Sequence, residues 1–171
     1  SNNDGAEAGL APAYLMESLI KAALETVDTK LYRAPNPTRG EQLCIIAVGG
    51  YGRGELAPFS DIDLLFLLPY KQTPRVEQVV ETILYLLWDM KLKVGHSTRS
   101  IDECMRQAKA DMTVRTAILE SRYICGEISL MEQMIARFRE EIIKGSALEF
   151  VEAKLKESDD RHRQLGDSRY V

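Results

Sequence analysis

Two apolar runs of strand length flank a glycine-rich, charged segment in the first half of the chain, and this arrangement constrains the fold more than any other feature. The first run is Leu-Cys-Ile-Ile-Ala-Val at residues 43–48, and the second is Asp-Ile-Asp-Leu-Leu-Phe-Leu-Leu at residues 61–68. Glycine or proline bounds each run, which is typical of two strands joined by a loop. The residues that carry chemistry are therefore expected between the two strands.

Asp61 and Asp63 are predicted to project from the same face of the second strand, because side chains alternate along a strand. After Asp63 the run is apolar without alternation, which is typical of a strand covered on both faces. The two carboxylates would then lie at the mouth of a buried element, where two like charges need a cation between them. Mg²⁺ takes oxygen ligands of this kind, so the pattern predicts a metal site.

Gly49 and Gly50 end the first strand, and their bare backbone lets amide groups approach an anion closely. Arg53 adds a guanidinium that can bind a phosphate group through two hydrogen bonds. The segment lacks the Gly-Lys-Ser/Thr ending of a P-loop, and its glycines do not open a helix within a strand-helix-strand unit, as a dinucleotide-binding motif requires. The pattern favours a triphosphate site of another type.

The pair Gly49-Gly50, followed by Asp61-x-Asp63 on the next strand, resembles the signature of the nucleotidyltransferases of the DNA polymerase β superfamily. The full string at 49–65 reads Gly-Gly-Tyr-Gly-Arg-Gly-Glu-Leu-Ala-Pro-Phe-Ser-Asp-Ile-Asp-Leu-Leu. It is similar to a narrower family, the uridylyltransferase/uridylyl-removing enzymes that modify the nitrogen-regulatory protein PII. Further similarity at residues 36–40, 94–99 and 166–171 extends the resemblance over most of the chain.

The resemblance implies an α+β fold, with a polymerase β-like nucleotidyltransferase core whose mixed sheet is flanked by helices, followed by a helical segment. It implies uridylyl transfer from UTP, or another nucleoside triphosphate, to PII with release of pyrophosphate. Asp61 and Asp63 would be the catalytic and metal-binding residues, with Mg²⁺ as the cofactor and Mn²⁺ as an alternative. The residues expected to bind the nucleotide are Gly49, Gly50, Arg53, Ser60 and Arg99.

Two other functions remain open: adenylyl transfer to another acceptor, and a nucleotide-binding signalling module without catalysis. The superfamily usually completes its metal site with a third carboxylate from a later strand. The predicted third strand, Lys91–Ser97, contains no acid, and Asp102 and Glu103 fit a helix cap better. The resemblance also implies that the enzyme continues into further domains, so we expect this chain alone to bind nucleotide weakly and to transfer it poorly or not at all.

The composition argues against several classes of protein: nucleic-acid-binding proteins, membrane proteins, zinc hydrolases and Ser-His hydrolases. The 171-residue chain has a formal net charge of −4, which argues against a nucleic-acid-binding surface. It has no apolar run of transmembrane length and no signal-peptide pattern, so we expect no membrane partner and a cytoplasmic location. His96 and His162 are far apart in the sequence, which does not favour a zinc hydrolase, and no acid neighbours His96 and Ser97 to support a Ser-His hydrolase.

We expect residues 1–9 to be disordered or vector-derived, residues 10–100 to form the nucleotidyltransferase core, and residues 101–171 to form a truncated helical segment. Helical spacing predicts a first helix with Leu15, Leu19, Ala23, Val27 and Leu31 inward and another from about Thr73 to Met90. Further helices are predicted to begin at caps Ser100 and Asp111, the second one stopping at Gly126. The last two predicted helices meet at Gly145 and Ser146.

Overall fold

A four-stranded mixed sheet forms the centre of the fold in the computed structural model, which describes residues 4–27, 42–49 and 62–168. The strands are β1 (Cys44–Val48), β2 (Ile62–Leu68), β3 (Val94–Ser100) and β4 (Arg122–Gly126). Their order is β3-β2-β1-β4. β1 is antiparallel to β2 and to β4, whereas β2 is parallel to β3. The predicted α+β class, with a mixed sheet flanked by helices, is confirmed.

The helices connect and flank these strands. They are α1 (Asp4–Thr26), α2 (Pro74–Asp89), α3 (Ile101–Ala110), α4 (Met112–Leu119), α5 (Ile128–Phe138) and α6 (Lys144–Ser168), with a π-helical turn at Arg139–Ile143. The chain divides into two compact units, Ser1–Ile135 and Ala136–Val171. The predicted boundary at residue 100 lies within the first unit. α1 begins at Asp4, inside the segment that was predicted to be disordered, while residues 1–3 lie outside the described residues.

One face of the sheet packs against α1 and α2 and forms the main apolar core. The strand residues of this core include Ile45, Ala47, Ile62, Leu64 and Phe66. Because side chains alternate along β2, Asp63, Leu65 and Leu67 point to the opposite face. Asp63 is therefore placed on the side of the sheet away from α1 and α2.

The predicted buried stripe of the first helix is confirmed at Ala23 and Val27 and is wrong at Leu15, while Leu31 lies outside the described residues. Leu15 is exposed, and the buried positions are Met16, Ile20, Ala23 and Val27. Both stripes have helical spacing, so periodicity alone did not distinguish them. The position of α1 against the sheet selects the stripe that begins at Met16.

α2 confirms the predicted helix from about Thr73 to Met90. The Thr73 hydroxyl accepts a hydrogen bond from the Val76 amide at 3.3 Å, and Pro74 occupies the first helical position. Lys91 then adopts a φ of 64° in the turn after the helix. Because this turn uses residues 90 and 91, β3 begins at Val94, three residues later than predicted.

Ser100 ends β3 and caps α3, as predicted. Its hydroxyl accepts a hydrogen bond from the Glu103 amide at 3.2 Å, and only 7% of Ser100 is exposed. We expect Ser100→Ala to lower the free energy of unfolding by about 1 kcal/mol, because the Glu103 amide loses its partner. Urea denaturation of the two proteins measures this difference, and an unchanged midpoint and slope would contradict the capping role.

β4 is the element that the sequence analysis missed. Asp111 caps α4 as predicted, since its carboxylate accepts a hydrogen bond from the Thr113 amide at 2.8 Å, but the helix ends at Leu119. The prediction that it continues to Gly126 is wrong, because Arg122–Gly126 pairs with β1. The run Tyr-Ile-Cys before a glycine was the available signal for a strand. Residues 101–171 are therefore not wholly helical.

The second unit contains the end of α5, the π-helical turn and α6. Gly145 lies within α6, so the predicted break at Gly145 and Ser146 is wrong. A glycine costs a helix only about 1 kcal/mol, which a long helix tolerates. None of the helices that the structure describes is long and apolar enough to cross a membrane.

Candidate functional site

Asp63 lies at the start of β2, between residues of both neighbouring strands. It pairs with Val48 at the end of β1 and with Gly95 near the start of β3. This edge of the sheet thus combines the carboxyl end of β1 with the amino ends of β2 and β3. Gly49, which directly follows β1, comes beside Asp63, and this confirms the prediction that the two motifs lie on adjacent strands.

Gly95 leaves space for the Asp63 carboxylate, and Gly49 lies beside it. A Cβ atom at Gly95 would collide with Oδ1 of Asp63, and a Cβ atom at Gly49 would lie 3.6 Å from Oδ2. Gly49 also has a φ of 70°, which most other residues adopt only with strain. Asp63 itself is exposed, so its oxygens can face a ligand. The sequence indicated Gly49 but gave no signal for Gly95.

A cavity of about 470 Å³ opens beside Asp63 and Gly49. α4 forms its opposite wall. The lining residues are Val48, Gly49, Asp63, Met112, Thr113, Thr116, Ala117 and Glu120. The sequence analysis treated α4 only as a packing helix, so it missed this wall, because a single sequence does not indicate which helix lies over which strand end.

A smaller cavity of about 220 Å³ lies on the β3 side of Asp63. It is lined by Val48, Asp63, Leu64, His96, Ser97, Arg99, Thr113, Val114 and Ala117. Asp63 and Arg99, both predicted from the sequence as site residues, therefore border the same space. His96 also borders it, while its ring contacts the ring of Trp88 with 5.9 Å between the centroids.

Four predicted site residues lie outside the described residues. They are Gly50, Arg53, Ser60 and Asp61. Their roles as phosphate-binding or metal-binding residues stay predictions. Of the predicted site residues that the structure describes, Gly49 and Asp63 lie at the same end of the sheet. Arg99 is opposite Leu67, near the other end of β3, and lines the smaller cavity together with Asp63.

The surroundings of Asp63 fit a divalent cation. Carboxylate oxygens are hard donors that suit Mg²⁺, and the absence of a side chain at Gly95 leaves room for them. Within residues 4–27, 42–49 and 62–168, no three His, Cys, Asp or Glu side chains are grouped to hold a metal ion. The Glu103 amide binds Ser100, which supports the interpretation of Asp102 and Glu103 as cap residues.

The three cysteines lie in the interior and outside both cavities. Cys44, Cys104 and Cys125 are free and buried. Burial raises the pKa of Cys44 and of Cys125 to about 12 and that of Cys104 to about 11. Near neutral pH these thiols are protonated, so they are poor nucleophiles and do not contribute to the chemistry at Asp63.

We expect the thiols of the folded protein to react with a disulfide reagent at pH 8 at least about a hundredfold more slowly than free cysteine, because both burial and the raised pKa suppress the thiolate. The rate should rise steeply as pH increases toward the thiol pKa or when the protein is unfolded. The absorbance of the thiolate anion that the disulfide reagent releases measures this labelling rate. Fast labelling of any of the three thiols in the folded protein would contradict their burial.

The sequence profile of a family described as "Nucleotidyltransferase domain" matches residues 38–124. This range includes β1, β2 and β3, together with Asp63 and Arg99, which both line the smaller cavity.

Curated relatives match nearly the whole chain. A bifunctional uridylyltransferase/uridylyl-removing enzyme from Azospirillum brasilense is 60% identical over 158 residues, which cover 92% of this chain. Enzymes of the same name from Rhodopseudomonas palustris and Rhodospirillum rubrum are 54% and 55% identical, over 92% and 93% of this chain. In each case the match covers 17% of the relative, so the chain spans about a sixth of the length of these proteins.

Among solved structures, a toxin–antitoxin crystal structure with AMP-PNP matches with a TM-score of 0.43 and 16% sequence identity. The match covers 81% of this chain and 98% of the other.

Proposed function

The chain belongs to the nucleotidyltransferase domain family, and from this we propose that it transfers a uridylyl group from UTP to the PII regulatory protein and releases pyrophosphate. The names of the relatives support uridylyl transfer. The mixed sheet with flanking helices is consistent with a polymerase β-like fold. Because the chain spans only part of those relatives, UTP as the donor and PII as the acceptor are proposed here.

The observation that carries this proposal is the position of the Asp63 carboxylate. It lies at the mouth of β2, in space that a side chain at Gly95 would fill, and it borders two cavities. A carboxylate in this position can help to hold a divalent cation against a phosphate group. A packing or capping role would not require a carboxylate that borders two cavities.

Nucleotidyltransferases of this superfamily generally use divalent metal ions, and Mg²⁺ or Mn²⁺ is proposed here. Asp63, together with Asp61, would hold the metal. When bound, the ions would stabilise the attacking oxygen and the leaving oxygen of an in-line displacement at the α-phosphorus. Carboxylate oxygens are the ligands that these hard cations prefer.

The remaining residues are proposed to bind and orient the triphosphate. The backbone at Gly49 and Gly50 would approach the phosphate oxygens, and Ser60 would donate a hydrogen bond. Arg53 and Arg99 would offset the charge of the leaving group.

In the proposed reaction, the acceptor hydroxyl oxygen forms a bond to the α-phosphorus as the bond to the bridging oxygen breaks. The electron pair leaves with pyrophosphate, and the hydroxyl proton passes to solvent.

A cytoplasmic location without a nucleic-acid or membrane partner is part of the same proposal. The net charge of −4 argues against a broad basic surface for a phosphate backbone. The three buried free thiols are compatible with a reducing compartment.

The test is labelling of PII with UTP carrying a labelled α-phosphate, using a protein that spans the full length of the relatives. We expect label on PII only with UTP and a divalent cation, together with one pyrophosphate for each label. Labelled ATP and an unrelated acceptor protein are the controls. Labelling from ATP in preference to UTP would contradict the uridylyl assignment, and nucleotide binding without any transfer would contradict the enzymatic one.

A further inference from the structure

The middle of α6 is a helical segment whose side chains are exposed all around the helix. Every residue from 148 to 161 is exposed, over about four helical turns. A helix in water gains most of its stability by packing one amphipathic face against another element, rather than from the propensity of its residues. A segment of this length with no buried side therefore indicates a surface that pairs with another polypeptide.

An apolar stripe follows one side of this segment. Leu148, Val151 and Leu155 recur at intervals of three and four residues, and they are 63%, 51% and 62% exposed. This spacing is that of positions a and d of a coiled-coil heptad, with the two leucines at a and Val151 at d. Ser158 occupies the next d position. We call these four residues the α6 seam, and they span two heptads.

Phe150 is the other large apolar side chain of the segment, and it lies outside the α6 seam. The ammonium nitrogen of Lys154 lies 5.6 Å from the centroid of the Phe150 ring. This cation–π contact covers part of the ring within the helix itself. The apolar surface that α6 offers to a second helix is therefore the seam.

Charged side chains of opposite sign flank the two sides of the α6 seam. Glu152 and Asp159 occupy the e positions, and Lys154 and Arg161 occupy the g positions. In a parallel pair of helices, a g residue lies beside the e residue of the next heptad on the other helix, so Lys154 would meet Asp159 of a second copy. In an antiparallel pair g faces g and e faces e, so like charges would meet. The charge pattern thus complements itself in the parallel orientation.

The contacts of the two basic residues within α6 do not oppose this pairing. Lys154 Nζ and Arg161 Nη2 lie 3.6 Å and 4.0 Å from Glu157 Oε2. All three side chains are more than half exposed, and exposed ion pairs contribute little to stability. Lys154 can therefore turn toward a second helix at little cost.

We propose that two copies of this chain associate through α6, as a parallel two-stranded coiled coil over residues 148–161. The seam residues of one copy pack against the same residues of the other, and Lys154 of each copy pairs with Asp159 of the other. The partner is a second copy because the charges beside the seam complement themselves. The inference is independent of the reaction proposed at Asp63.

Analytical ultracentrifugation of this chain at several concentrations measures the association, and we expect the mass to approach that of a dimer as concentration rises. Leu155→Ala removes one seam layer from both helices and should weaken dimerisation at least about thirtyfold. Lys154→Glu should weaken it about tenfold, because two attractive pairs become repulsive, and Asp159→Lys should do the same. The double variant restores opposite charges and should recover most of the affinity.

A cysteine in the α6 seam tests the orientation. In a parallel dimer equal positions face each other, so Ser158→Cys should give a disulfide-linked dimer on mild oxidation. In an antiparallel pair the two introduced thiols would lie toward opposite ends of the seam. Ala153→Cys, at the exposed position f on the outer side of the helix, is the matched control and should stay unlinked. The three native thiols are buried and should not react.

A chain that stays monomeric at every concentration would overturn the proposal, as would a dimer that Leu155→Ala and Lys154→Glu leave unchanged. No recovery in the double charge variant, or equal cross-linking at positions 153 and 158, would overturn the parallel arrangement. A monomeric protein of the full length of the relatives would show that another segment covers the seam, which also overturns it. Circular dichroism verifies the fold of each variant, and the charge variants, which alter exposed side chains alone, decide if Leu155→Ala does not fold.

Discussion

Replacement of Asp63 by Asn is expected to abolish nucleotide transfer while leaving the fold intact. The amide keeps the shape of the side chain but removes the negative charge that would hold the metal. Metal stabilisation of transition-state charge contributes several kcal/mol, so transfer should fall at least about a thousandfold. Because Asp63 is exposed, the free energy of unfolding should change by only about 0.5 kcal/mol. Asp61→Asn should have the same effect on transfer.

An assay of nucleotide transfer to PII measures the loss of activity, and thermal unfolding of the same preparations measures the change in stability. Asp89→Asn is the matched control, because Asp89 is also exposed but lines neither cavity. Its activity should equal that of the unaltered protein. Near-normal transfer by Asp63→Asn would show that this carboxylate does not hold the catalytic metal.

Gly95→Ala is expected to cause the second large loss. The new Cβ would occupy the position of Asp63 Oδ1, so the carboxylate must move. A carboxylate is the far end of a flexible side chain, so it can move at little cost in stability. A displacement of about 1 Å at a catalytic group can cost about a hundredfold in rate, and we expect a loss of that order in transfer together with weaker Mn²⁺ binding.

Gly145→Ala is the control for Gly95→Ala, since no atom lies within 4 Å of a Cβ at Gly145. It should leave Mn²⁺ binding and transfer unchanged. In an Asp63→Asn background, Gly95→Ala should cause no further loss of Mn²⁺ affinity, because the two changes act on the same carboxylate. Wild-type Mn²⁺ affinity in Gly95→Ala, or additive losses in the double variant, would show that Gly95 does not position Asp63.

The motif strands could be predicted because their sequence patterns are local. Uninterrupted apolar runs bounded by glycine or proline define β1 and β2, and Ser100 with Glu103 defines the start of α3. Each of these signals depends on residues that are neighbours in the sequence. The adjacency of Gly49 and Asp63 followed from the short connection between their strands.

The parts that escaped prediction depend on contacts between distant segments. β4 is five residues long and is defined by its pairing with β1, which its own sequence does not specify. Gly95 matters only because it lies opposite Asp63 on the neighbouring strand. The position of Thr116 and Glu120 in a cavity wall likewise depends on where α4 lies over the sheet edge. Local propensity contains none of this information.

The site residues also differ in whether a local sequence motif indicates them. Gly49, Asp63 and Arg99 were found from the sequence, and each lines at least one of the two cavities, although their roles stay proposals. The third carboxylate that the superfamily resemblance implies was not found from the sequence. Within the described residues, Glu120 is the further acid that shares a cavity with Asp63, and its distance along the sequence explains why no motif indicated it.

The central claim is that Asp63 and Asp61 hold a divalent metal against the α-phosphate of UTP. A crystal structure with UTP and Mn²⁺, in which anomalous scattering locates the metal, tests this claim most directly. The claim predicts an anomalous peak within about 2.5 Å of carboxylate oxygens of Asp61 and Asp63 and of an α-phosphate oxygen. A peak at other carboxylates, such as Asp102 and Glu103, or UTP bound with its phosphates away from Asp63, would contradict it.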